Sequence, residues 1–206
     1  MILLENLSES EIKEVSRHVS DSFYDYEYCS DDLGLKKYIT NPDDMFVYIN
    51  AIVYAAYKSG LLYATSEKRE GYMFIAGDGI GSIGFVPGMK MIFAEKKALG
   101  GFKNLKKFVS ASFSDGNSIE TRMRKAKRKF IRIEVLAVRK EYQRQGFMRQ
   151  MMEYVYHIAD ENKLHVILDT DDKDKALRYE HLGMKLERVR NCGEKYHMYD
   201  LIREPM

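Results

Sequence analysis

Residues 131–152 read IRIEVLAVRKEYQRQGFMRQMM, and the fold is decided here. Ile131 to Val138 is a short apolar run rich in β-branched residues, the composition of a buried strand. Met148, Met151 and Met152 begin a spacing that Val155, Ile158 and Ala159 continue, which is one face of an amphipathic helix. Between the two lies Gln143-Arg144-Gln145-Gly146-Phe147-Met148. A strand that enters a helix through such a turn leaves several backbone N–H groups unpaired at the positive end of the helix dipole. Those donors favour an anion, and phosphate suits them best. Gly146 lets a ligand approach the backbone without a side chain between them.

Working outward, the strand end Leu136-Ala137-Val138 followed by Gln143-x-x-Gly146-x-Met148 resembles the acyl-CoA signature of the GCN5-related N-acetyltransferase (GNAT) superfamily. The family pattern ends on a small residue where this chain has Met148. A second phrase, Tyr179-Glu180-x-Leu182-Gly183, resembles the family's Leu-Tyr-Glu-Lys-Leu-Gly-Phe, with Met184 in place of the aromatic. The strand end Leu168-Asp169-Thr170 and the short crossover look similar to the puromycin-acetyltransferase-like branch. The resemblance is detailed over the C-terminal third and one of element order before it. It implies an α/β GNAT fold, a mixed central β-sheet flanked by helices. It also implies an N-acetyltransferase that moves an acetyl group from acetyl-CoA to an amine acceptor, a small molecule, by direct transfer in a ternary complex. The alternatives are a non-catalytic CoA-binding regulatory protein, or an acetyltransferase acting on a protein or aminoacyl-tRNA. Leu136, Ala137, Val138, Gln143, Arg144, Gln145, Gly146, Phe147 and Met148 are then the cofactor-binding positions. Asp172 joins them, in a slot seven residues before Tyr179 where the family often has asparagine touching CoA.

Acetyl transfer needs a base for the amine proton and a donor for the departing thiolate. The resemblance gives Tyr179 the donor role. Glu134 is the candidate base: simple strand alternation sets it in phase with Leu136 and Val138. Many family members carry the glutamate two residues earlier, where this chain has Arg132. Asp169 is the reserve.

Composition sets the remaining bounds. A chain of 206 residues suits one large domain, here a single acetyltransferase domain over 1–206 with a helical insertion around 89–129. The net charge of +2 gives no global field for nucleic acid or membrane, and neither is expected as a partner. Cys29 and Cys192 form no CxxC pair, and the five histidines show no metal-ligand spacing, so no metal is expected. No signal peptide is visible, and Phe46 to Tyr57 is too short to span a bilayer. A cytoplasmic monomer or homodimer is the expectation.

Along the chain, Ile2-Leu3-Leu4 reads as a strand. Ser8-x-x-Glu11 has capping-box form for a helix through about Val19. DSFYDYEYCSDD, residues 21–32, sets Asp21, Asp25, Glu27, Asp31 and Asp32 among Phe23, Tyr24, Tyr26 and Tyr28. Both carboxylates and ring faces attract cations, so this stretch is expected as a loop on the acceptor rim. A helix follows at about Leu33–Tyr38, capped by Asp31 or Asp32, and another runs from Asn41-Pro42 to about Lys58. Leu61–Ser66 and Gly71–Ala76 pair as strands, and Gly77–Gly88 is a turn. Met89–Leu99, Phe102–Ala111 and Ser118–Arg128 are predicted helices. His165–Thr170 is a strand parallel to the central strand, because a helix with Asn162 as its C-terminal cap crosses between them. A helix from about Asp174 to Leu182 and a hairpin of Lys185–Arg190 with Lys195–Leu201 close the chain.

Overall fold

The computed structural model describes residues 1–28, 33–112 and 115–206. The chain runs β1 (Ile2–Leu3), α1 (Glu9–Tyr24), α2 (Pro42–Lys58), β2 (Leu62–Ala64), β3 (Gly71–Gly77) and α3 (Phe85–Ala98). It continues through α4 (Phe102–Ser112), α5 (Ile119–Lys125), β4 (Phe130–Val138), α6 (Phe147–Asn162), β5 (His165–Thr170), α7 (Lys173–His181), β6 (Lys185–Asn191) and β7 (His197–Arg203). The seven strands form one mixed sheet in the order β1-β2-β3-β4-β5-β7-β6, parallel between β4 and β5 and antiparallel elsewhere. The expected mixed sheet flanked by helices is therefore present.

Local chemistry explains most boundaries. Ser8 and Glu11 form the expected reciprocal cap, but α1 continues to Tyr24, so Asp21 to Tyr24 are helical rather than loop. Asn41 caps α2, with Pro42 at its first position. The helix expected near Leu33 is a single 3₁₀ turn over Gly34–Lys37, with Leu33 at its cap position; Asp31 and Asp32, the expected caps, lie outside the described residues. Gly34 sits at φ +49°, and a Cβ there would stand 2.1 Å from Asp171 Oδ2, which is why this position takes glycine. A Gly77–Gly81 bridge closes the turn after β3. The next helix begins at Phe85, earlier than expected, because Pro87 is tolerated within a first turn. The helix expected from Ser118 stops at Lys125. Lys163, in the left-handed region, caps the C-terminus of α6, and the expected cap Asn162 is the last helical residue.

A small core packs α5 on the sheet through Ile119, Met123, Phe130, Ile167 and Ile202, and among the described residues two large cores sandwich the sheet. One packs α1 and α2 against β2 and β3 through Val15, Val19, Ile49, Val53, Tyr72 and Phe74. The other packs α6 and α7 against the centre through Met151, Met152, Val155, Val166 and Leu168. β4 belongs to both cores, and it changes face within its length. Ile131 and Ile133 join the α6 side, whereas Val135 and Ala137 join the α1–α2 side. A β-bulge causes the switch: Val135 faces Phe74 and Ile133 faces Ile75, so Glu134 has no partner on β3. The expected alternation of Glu134 with Leu136 and Val138 is thereby overturned. Leu136 and Val138 pack toward α6, while Glu134 lies beside Arg132.

Candidate active site

β4 and β5 pair only through Phe130–Arg132 and His165–Ile167. Beyond these residues the two strands diverge. The space between them opens into a cleft of about 1150 Å³ that reaches from the N-terminus of α6 to the inner faces of α2 and α4. Arg139 donates its N–H to Glu70 O at 2.9 Å, across to the chain leading into β3. Antiparallel pairing alternates, so Leu136 and Val138 direct their backbone groups away from β3, into the opening. Val138 O already accepts from Ser22 Oγ at 3.4 Å and Gln143 Nε2 at 3.3 Å.

The turn after β4 builds a cradle of amides. Arg144 at φ 63° and Gly146 at φ 89° are both left-handed, which turns the chain sharply into α6. The first intrahelical bond of α6 is from Gln150 N–H to Gly146 O. The N–H groups of Phe147, Met148 and Arg149 precede it, and Gly146 supplies no side-chain cap. A Cβ built on Gly146 meets no atom within 4 Å, so the space above this backbone is open. An uncapped helix start, left-handed backbone and open space fit the diphosphate of a CoA.

Of the residues expected at the site, Glu134, Leu136, Ala137, Val138, Gln143, Arg144, Gly146, Phe147, Met148 and Tyr179 line the cleft. Gln145 does not; its side-chain amide turns back to Glu141 O at 2.9 Å. Asp172 does not line it either. It is buried as the N-cap of α7, accepting from Lys175 N–H at 2.9 Å and from Tyr26 O–H at 2.7 Å. Replacing it tests which role dominates. Asp172→Ala should destabilise the fold by about 1–3 kcal/mol through the lost cap and the lost hydrogen bond from Tyr26 O–H. Calorimetry should find CoA affinity unchanged; a large loss of affinity with an unchanged melting curve would make Asp172 a ligand contact.

Glu134 sits at the end of an ionic network. Arg132 donates to Glu120 Oε2 at 2.7 Å and to Asp169 Oδ1 at 2.8 Å. Arg190 donates to the other oxygen of Asp169 at 3.1 Å and chelates buried Asp200. Asp169 thus has both oxygens bound by guanidinium groups. Glu134 pairs with Arg132 at 3.2 Å, where Arg132 Nε forms no hydrogen bond among the described residues, and the carboxylates of Asp169 and Glu120 also act on it. Burial raises the Glu134 pKa, against the lowering pull of Arg132. Tyr179 stands on α7, which Asp172 caps, and burial pushes its hydroxyl pKa well above the ordinary tyrosine value.

The acidic–aromatic stretch behaves differently from its expectation. Asp21, Phe23, Asp25, Tyr26 and Glu27 do line the cleft. Yet Lys175 Nζ lies 3.8 Å from the Tyr26 ring centre and 5.3 Å from that of Tyr28, so an internal cation takes those faces. Tyr28 donates to Asp171 Oδ2 at 2.6 Å, strapping the end of α1 to the end of β5.

Several cleft residues carry no local sequence signal. His18, which shares a 2.9 Å hydrogen bond with Tyr72 O–H, was detectable only as a polar residue on the sheet-facing side of α1. Tyr48, Ile49, Ile52, Phe108 and Tyr196 form the wall opposite the α6 amides. They come from three distant segments, and helical periodicity alone marks the first three as core.

Comparison with known proteins agrees with this fold. The profile described as the acetyltransferase (GNAT) family matches residues 66–184, more than half of the chain. It does not single out the puromycin-acetyltransferase-like branch. No curated protein matches the chain by sequence. Among solved structures, the histone acetyltransferase HPA2 and related acetyltransferase from Corynebacterium glutamicum is similar, with a TM-score of 0.59 at 10% identity, over 97% of this chain and 94% of that one. The C-terminal condensation domain of Ebony, solved with β-alanyl-dopamine, gives a TM-score of 0.60 at 11% identity, over 98% and 100% of the two chains. The Drosophila melanogaster polyamine N-acetyltransferase gives 0.54 at 13% identity, over 96% and 97%. With the splayed strands and the amide cradle already in place, the profile match decides the family: the chain belongs to the GNAT acetyltransferases and is an acetyl-CoA-dependent N-acetyltransferase.

Proposed function

We propose that this chain acetylates a small amine by direct transfer within the β4–β5 cleft. The observation that carries the reading is the cleft itself: one cavity is lined by the amide cradle at Gly146–Met148, by the aromatic–aliphatic residues Tyr48, Ile52, Phe108 and Tyr196, and by Glu134 and Tyr179. Acetyl-CoA supplies the activated acetyl thioester, with its diphosphate at Gly146–Arg149 and its pantetheine amides along Leu136 and Val138. The chamber formed by Tyr48, Ile52, Phe108 and Tyr196 holds the acceptor, and its aromatic and aliphatic lining suits the apolar part of a small amine. The carboxylates of Asp21, Asp25 and Glu27 raise the local concentration of amine at the rim, an effect that weakens with salt.

The amine nitrogen attacks the thioester carbonyl carbon, so a C–N bond forms as the C–S bond breaks. Glu134 takes the proton lost by nitrogen, through a water molecule. Tyr179 gives its hydroxyl proton to the departing sulfur and regains one from solvent. Backbone N–H groups on the open edge of β4 polarise the carbonyl oxygen. Positioning supplies much of the acceleration.

The pKa of Glu134 gives the sign of the pH dependence. A base must be ionised, and burial raises the pH at which Glu134 ionises. Activity should therefore be lost, as pH falls, above the range where an ordinary glutamate titrates. Glu134→Gln should lower kcat by about 10²-fold and abolish that acid limb. Turnover of acetyl-CoA across a panel of small amines, with the acetylated product identified by mass spectrometry, checks acceptor and base together. A panel that yields no product, alongside an acetylated protein or aminoacyl-tRNA, would reject the small-molecule reading. An unchanged acid limb in Glu134→Gln would remove Glu134 as base.

A further inference from the structure

The span 85–112 holds an apolar ridge that faces solvent. On α3, Phe85 is 83% exposed, Phe93 63% and Ile92 47%, with Val86 and Met89 beside them. On α4, Phe102 is 68% exposed and Val109 is exposed as well. Positions 85, 89, 92, 93 and 96 fall on one side of a helix, so the ridge is a continuous face rather than a scatter of single residues. The opposite sides of both helices are engaged. α3 packs on α2, and α4 buries Leu105 and Phe108 against the α1–α2 core, with Phe108 reaching the cleft wall.

Charge selects the occupant of this face. Between Phe85 and Ser112 the charged residues are Lys90, Lys96, Lys97, Lys103, Lys106 and Lys107 against the lone acid Glu95, a local net charge of +5 (6 − 1) in a chain of net charge +2. All six lysines are exposed. A second copy of the chain would bring two such clusters together across a two-fold axis, and like charges would oppose it. A nucleic acid backbone would meet the lysines but leave the phenylalanines in water. An anionic lipid surface satisfies both features. Protruding rings enter the acyl boundary, and lysine stems snorkel so that their ammonium groups reach the phosphates. No helix among the described residues is long and apolar enough to cross a membrane, so the contact is peripheral.

We propose that the exposed faces of α3 and α4 dock on an anionic lipid surface, with Phe85, Phe93 and Phe102 inserted at the acyl boundary and the lysines at the headgroups. The docked face is the back of the wall that Phe108 contributes to the cleft, so docking holds the acceptor end of the cleft beside the bilayer.

Co-sedimentation of the full chain with phosphatidylcholine vesicles containing about 30 mol% phosphatidylglycerol, in about 0.1 M salt, tests this directly. The chain should pellet with these vesicles, not with pure phosphatidylcholine, and should release as salt rises to about 0.5 M. Phe85→Ser/Phe93→Ser/Phe102→Ser should lower partitioning by at least about tenfold. Lys96→Glu/Lys97→Glu/Lys106→Glu should do the same. Both variants change exposed side chains and should keep the wild-type melting curve and CoA affinity. Wild-type chain that stays in the supernatant overturns the proposal, as does equal binding to neutral vesicles. A wild-type dimer that the triple serine variant dissociates also overturns it, by assigning the ridge to a second copy.

Discussion

Gly146→Pro should raise the Kd for CoA at least about a hundredfold in calorimetry, a loss of about 2.7 kcal/mol. Proline fixes φ near −65°, whereas Gly146 stands at φ 89° as the residue from which α6 starts. The substitution deletes one N–H donor and re-aims those of Phe147 and Met148. That loop is exposed, so the cost falls on the ligand more than on the fold. A milder variant separates the two effects. In Gly146→Ala the new methyl meets no protein atom within 4 Å, so the chain itself bears only the left-handed strain of about 1 kcal/mol. The methyl would, however, occupy the space in which the diphosphate approaches the backbone. Gly146→Ala should therefore weaken CoA binding well beyond its effect on the melting temperature. If alanine leaves CoA affinity at the wild-type value, the phosphates do not pass over Gly146.

This half of the site was legible because its causes are local. A β-branched run, a glycine turn and a methionine face at helical spacing lie within residues 131–159, and each marks its type of element without help from distant residues. The same holds for Ser8 with Glu11, where two side chains three residues apart close a cap. The acceptor half was legible only in its ingredients. Tyr26 and Tyr28 were recognisable as cation-seeking rings. Their partners, however, are Lys175, Asp171 and Asp172, more than 140 residues away, and no periodicity joins such positions. The bulge at Glu134 was hidden for a related reason. It is set by how Phe74 and Ile75 on β3 match Val135 and Ile133, not by anything within β4. Its consequence is chemical. By placing Glu134 on the side of Arg132 rather than that of Leu136, it gives one strand two faces. On the proposed reading, the open edge of β4 serves CoA and the Glu134 carboxylate serves the acceptor; the structure itself sets Glu134 beside Arg132 and lines one cleft with Glu134, Leu136 and Val138.

Tyr179→Phe should lower kcat by about 10²–10³-fold while leaving CoA affinity within twofold of wild type, about 0.4 kcal/mol. The substitution removes a single oxygen and keeps the ring, so the packing of Tyr179 among Leu182, Ala176 and the α6 methionines is preserved. A tyrosine hydroxyl is protonated at neutral pH, and burial, which raises the Tyr179 pKa further, leaves it a donor. Burial also makes the hydroxyl a weak acid, so it yields a proton only as negative charge grows on sulfur. Such an interaction exists in the transition state and not in the bound ground state, which is why kcat should fall and binding should not. A tyrosine that served packing alone would leave kcat unchanged in the phenylalanine variant. The leaving group supplies an independent check. An acetyl thioester of a more acidic thiol departs with less need of a proton, so it should narrow the gap between Tyr179→Phe and wild type. A gap of the same size for both thioesters would place the effect of Tyr179 elsewhere than on the sulfur.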